Sequence, residues 1–134
     1  MQKSIFIFLS CFFTISCANR KTEITQIKVF YLPQGTTTDI PIQCNQLYPS
    51  LFEEDLMKKV ISSQITQDQI GNRLNQLSDS DEDIDMDVRM RIMISYKNRS
   101  NDTLCLGEYF GTVLNGKPKN DDRELRDLIK GLIY

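Results

Sequence analysis

The chain of 134 residues has no histidine and no tryptophan, and it has only four cysteines and six glycines. Without histidine there is no Ser-His-Asp triad, no Cys-His pair and no His-bearing zinc site. The glycines Gly107 and Gly111 are isolated and Gly116 belongs to a turn, so no glycine loop cradles a phosphate. There is no G-x-S-x-G and no C-x-x-C. A net charge of −2 gives little electrostatic grip on nucleic acid. Aromatics at 9% and charged residues at 25% are ordinary for a folded globule. The length suits one domain.

The N-terminal segment is patterned for export. Lys3 is the only charge in residues 1–16. Apolar runs come after it, Ile5–Leu9 and Cys11–Ile15, too short for the roughly 20 residues a spanning helix needs. The run ends at Ser16-Cys17, and Ala18-Asn19-Arg20-Lys21 is polar at once. A small residue and a cysteine at the end of such a run resemble the lipobox of bacterial lipoproteins, in which the cysteine is acylated and becomes the first mature residue. Thr14 stands where that box usually has leucine. Cys17 is therefore the expected lipid anchor, with residues 1–16 as signal peptide and 17–23 as lipidated cysteine and short tether. The alternative is a plain cleaved signal peptide in which Cys17 is incidental. Residues 17–134 carry 15 Lys and Arg against 18 Asp and Glu, a charge of −3.

With Cys11 lost and Cys17 lipidated, Cys44 and Cys105 remain. An even pair in an oxidising compartment is most simply a disulfide, and two buried free thiols are the alternative. A catalytic thiol would lack a histidine to activate it.

Alternation places a strand over Ile24–Leu32, with Ile27, Val29 and Tyr31 on one face. Pro33 ends it, and Pro41 confines any strand at Ile40–Ile42 to an edge. Ser50-x-x-Glu53 is a capping box accompanied by Leu51, Phe52, Leu56 and Val60 at near-helical spacing, although Lys59–Ser63 reads equally as a short strand. A second box, Thr66-x-x-Gln69, with Ile65 and Ile70 as a hydrophobic staple, predicts a helix over 67–77. Aspartate occupies every second position from Asp79 to Asp87. The start of a calcium loop has such spacing, but the glycine at the sixth position and the glutamate at the twelfth are missing. A solvated loop is the plainer reading, and no metal site is assigned.

From Met86 to Tyr96 the alternation is long. Met86, Val88, Met90, Ile92, Ile94 and Tyr96 form a buried face, and Asp87, Arg89, Arg91, Met93, Ser95 and Lys97 a wet one. Arg89 and Arg91 could bind an anion, or pair across strands with carboxylates. After a turn at Asn98–Asp102, Thr103–Leu106 is a strand carrying Cys105, broken or bulged by Gly107. Tyr109–Leu114 continues it to the hairpin dipeptide Asn115-Gly116, and Pro118 limits the segment beyond that turn to an edge. Asp121-x-x-Glu124 opens a final helix whose Leu125, Leu128, Ile129, Leu132 and Ile133 form one apolar stripe. The expected architecture is α+β: a small antiparallel sheet with two to three helices on one face, forming a single domain over 24–134.

Ile27–Pro33, Asp87-Val88-Arg89, Asp102–Gly107 and Asn115-Gly116-Lys117, in this order of elements, resemble small lipoproteins of Bacteroidota that carry no assigned activity. The resemblance implies an envelope location and an α+β fold, and it brings no catalytic residues. Acidic residues often come just after the lipid cysteine in surface-exposed lipoproteins of that phylum. The basic Arg20-Lys21 therefore implies an outer-membrane anchor facing the periplasm.

The expected function is non-enzymatic: a membrane-anchored domain that binds a protein or another envelope component, with an inhibitor or immunity role as one version. No cofactor is expected, and the partners are the membrane, through the lipid, and an unidentified protein, but not nucleic acid. The alternatives are a small hydrolase or lyase using Asp, Glu or Tyr, and a calcium-binding module.

Overall fold

The computed structural model describes residues 22–52 and 54–134. Cys11, Cys17, the rest of the export segment and Glu53 of the first capping box lie outside the described residues. The elements are β1 (Ile24–Tyr31), β2 (Met57–Ile61), α1 (Gln64–Leu74), β3 (Val88–Tyr96), β4 (Asp102–Gly107), β5 (Thr112–Leu114), β6 (Lys117–Lys119) and α2 (Arg123–Ile133). The strands form one antiparallel sheet in the order β2-β1-β3-β4-β5-β6. The fold is α+β. Among the described residues no helix is long and apolar enough to cross a membrane.

The two longest strands, β1 and β3, are neighbours in the interior of the sheet, and both alternate regularly. Ile27, Val29 and Tyr31 of β1 meet Ile94, Ile92 and Met90 of β3 in register, and Leu104 and Leu106 of β4 continue the layer. Ile70 and Leu74 of α1 and Leu125 and Ile129 of α2 close the core from above. Each apolar side chain buried in this way stabilises by about 1.5–3 kcal/mol. Asn115 and Gly116 turn the β5–β6 hairpin with φ of 52° and 76°, as a type I′ turn requires. Pro118 sits in the edge strand β6, where its missing N–H costs no ladder bond.

The opposite face of the sheet is not uniformly wet, as the alternation predicted. Residues 33–56 cross part of it as a strap. Ile42 and Leu47 are buried there with Leu32, Met86, Val88 and Cys105, and Cys44, Phe52 and Leu56 pack against them. Cys44 and Cys105 form a disulfide with Cα atoms 5.7 Å apart. The main-chain bond from Val88 N to Ile42 O (2.9 Å) fixes the strap to the start of β3. Strands predicted by alternation alone carry no information about a loop that returns over them.

Several predicted boundaries move for local reasons. Among the described residues the Ser50 box opens no helix. Leu56 N donates to Phe52 O (2.9 Å) in one isolated turn, and both side chains are drawn into the second core. The chain then extends, because Met57–Ile61 pairs with β1. Segment Ile40–Ile42 is not a strand, and Ile40 points to solvent. Helix α1 starts at Gln64, three residues before the predicted start, because Ser63 and not Thr66 caps it, Oγ accepting from Thr66 N (3.4 Å). Ile65 is exposed, so the staple with Ile70 does not form. Helix α2 is capped by Asp122, whose Oδ1 accepts from Leu125 N (3.0 Å), which frees Asp121 for other partners. The strand predicted from Tyr109 begins only at Thr112. Strand β4 ends at Gly107, as expected, but the bulge opposite it is in β3: Val88 pairs with Gly107 and Met90 with Leu106, so Arg89 is the extra residue. Met86 and Val88 therefore fall in the second core instead of on the predicted face with Met90, Ile92 and Ile94.

Candidate functional site

The segment between β4 and β5 is a tight turn, Glu108-Tyr109-Phe110, closed by Gly107 N donating to Gly111 O (3.2 Å). Gly111 has φ of +93°, and a Cβ there would lie 2.8 Å from the Met86 Cβ. Any other residue would be strained by conformation and by space at once. Helix α2 fixes the turn from behind. Arg126 Nη1 donates to Tyr109 O (2.8 Å), Lys130 Nζ donates to Glu108 O (3.2 Å), and the Lys130 ammonium lies 5.4 Å from the Tyr109 ring centroid. The main chain is held, yet Tyr109 is 75% and Phe110 59% exposed. Two adjacent aromatics held out into solvent on a braced turn have the character of binding anchors.

A cleft of about 350 Å³ separates this turn from the first part of the strap. Thr36, Thr37 and Thr38 line one wall, Glu108, Tyr109 and Phe110 another, and Asp87 and Arg89 complete it. Arg89 is only 8% exposed. Its Nη2 donates to Thr38 Oγ1 (3.3 Å) and to Asp87 Oδ2, whereas its buried Nη1 has no acceptor among the described residues. Asp87 also accepts from Ile42 N through Oδ1 (2.8 Å), so one carboxylate fixes both the guanidinium and the strap. The disulfide ties the same strap two residues further on, at Cys44. Nearby, the Tyr134 hydroxyl donates to Leu32 O (2.6 Å). Burial, with the negative charge of Glu108, pushes Tyr134 up to about 12.

The residues singled out from sequence are divided. Cys44 and Cys105 are joined and anchor the strap, while Cys17 lies outside the described residues. Among the described residues Arg89 and Arg91 do not make one anion site and do not pair with carboxylates across strands. Arg89 pairs with Asp87 on its own strand approach, and Arg91 stacks 4.2 Å from the Tyr48 ring centroid. The aspartate run also divides: Asp79 pairs with Lys119, which holds its carboxyl below the usual range, and Asp87 serves the cleft. Among the described residues no three His, Cys, Asp or Glu side chains are placed to hold a metal ion. Tyr109, Phe110 and Thr38 were not predicted as site residues. The signal available was the pair Gly107 and Gly111 bracketing an aromatic dipeptide, a spacing that suits a turn better than a strand.

Compared with protein-family models, with curated proteins and with solved structures, the chain has no significant match.

Proposed function

We propose that this chain is a lipid-anchored domain of the bacterial cell envelope whose task is binding rather than catalysis, performed by the cleft beside the Tyr109–Phe110 turn. The observation that carries the binding reading is the braced turn: three polar contacts and two glycines hold two exposed aromatics beside the guanidinium of Arg89. Preorganised aromatics lose little entropy when they bind, which is why such anchors dominate interface energies. The envelope reading rests on the signal-like residues 1–16, the lipobox-like Ser16-Cys17 and the Cys44–Cys105 disulfide, a bond that suits an oxidising compartment. With a lipid on Cys17, the acyl chains attach the molecule to the bilayer and leave the protein surface free for a partner.

Mass spectrometry of the native protein tests the anchor: a diacylated or triacylated Cys17 supports it, and a free amine on a different residue refutes it. Crosslinking and capture from intact envelopes test the binding. A partner held by the native chain and lost with Tyr109→Ala plus Phe110→Ala supports the reading. Catalytic turnover by the purified chain contradicts it.

A further inference from the structure

We infer that the cleft takes a neutral, hydroxyl-rich ring, a hexose unit of a saccharide, stacked on the aromatic turn; the inference rests on the reading of the cleft as a binding site. The lining presents both kinds of hydrogen-bonding group. Arg89 closes the cleft with a guanidinium whose Nη1 is buried and has no acceptor among the described residues. Glu108 offers acceptors, since its carboxylate takes part in none of the ion pairs among the described residues. On the facing wall the Thr37 hydroxyl can both donate and accept, while those of Thr36 and Thr38 already donate to Pro33 O (2.6 Å) and Ile40 O (2.9 Å) and are left as acceptors.

This mixture discriminates between ligand charges. An anion would satisfy Arg89 but meet Glu108, while Arg89 is already neutralised by Asp87. A cation would satisfy Glu108 but meet the Lys130 ammonium that lies over the Tyr109 ring. A polyol supplies donors and acceptors together and carries no charge to desolvate. The rings of Tyr109 and Phe110 supply apolar surface for the C–H face of a sugar. The cleft volume of about 350 Å³ lies at the small end of ligand pockets, which suits one or two rings rather than a long chain.

The test is amide NMR on the full isotope-labelled chain in detergent. The probes are gluco-, manno-, galacto- and N-acetylhexosamine oligosaccharides at millimolar concentration, with sodium phosphate, sodium benzoate and tetramethylammonium chloride as charged controls. The expected result is saturable shifts of the amides of 35–38 and 107–111 with at least one saccharide. Phe110→Ala and Glu108→Gln, both at solvent-reachable positions, should each weaken that binding roughly tenfold while leaving the remaining spectrum in place. Silence across the saccharide panel overturns the inference, as does a response to phosphate, benzoate or tetramethylammonium alone. So does saccharide binding that both variants leave unchanged. If the saccharides are silent while a protein still crosslinks through the turn, the binding reading survives and the sugar inference falls.

Discussion

Arg126 in α2 donates from Nη1 to the carbonyl of Tyr109 over 2.8 Å, and the same guanidinium pairs with Asp121 through Nη2. Asp121 in turn accepts from Thr112 Oγ1 (2.9 Å). One buried arginine therefore joins the last helix, the aromatic turn and β5. Arg126→Leu should lower stability by about 2–4 kcal/mol, because it leaves the Tyr109 carbonyl and Asp121 without their charged donor. Amide exchange at 108–111 should accelerate more than at β1 and β3. A uniform acceleration over the sheet would show that Arg126 does not brace the turn locally.

The disulfide links residues 61 apart. On the loop-entropy account that closure contributes about 4 kcal/mol. A Cys44→Ala, Cys105→Ala chain should lose stability on that order in denaturant titration. Its strap should also loosen, shown by faster exchange at the Ile42 and Leu47 amides. Because Thr36–Thr38 belong to the strap, ligand affinity at the cleft should fall with it. An unchanged denaturation midpoint would mean that the packing of Ile42, Leu47 and Phe52 holds the strap unaided.

Two tyrosines give a high-pH signature. Burial, with the hydrogen bond its hydroxyl donates to Asp102 (2.6 Å), pushes Tyr96 up to about 12, and Tyr134 is pushed up to about 12 as well. An unfolded tyrosine loses its proton near 10. The stabilisation from keeping these hydroxyls neutral is thus complete below about pH 10 and is lost as pH rises through about 12. Absorbance titration should show a late ionisation step that Tyr96→Phe and Tyr134→Phe each reduce. A late step of full height in both variants would contradict these assignments.

Much of the frame was readable from sequence for a simple reason. Ile27-x-Val29-x-Tyr31 and Met90-x-Ile92-x-Ile94 bury one face completely, so their period survives folding. Asn115-Gly116 and the Leu125–Ile133 stripe were equally direct, the one through its φ requirement and the other through helical spacing. Phe52 and Leu56 misled because residues four apart suit a helix, yet here they plug a second core from a loop. Tyr109 and Phe110 misled because aromatics favour strands, whereas the flanking glycines make a turn. The cleft was illegible because Thr38, Arg89 and Glu108 converge only through the strap's return over the sheet.

The most direct measurement of the central claim is site-specific photocrosslinking in intact cells. A photoreactive phenylalanine analogue replaces Phe110 in one chain and Leu51, another exposed apolar residue away from the cleft, in a second. The account predicts a discrete adduct from position 110, absent from position 51 and lost when Glu108→Gln is added. Equal labelling from both positions, or an adduct from position 51 alone, would contradict it.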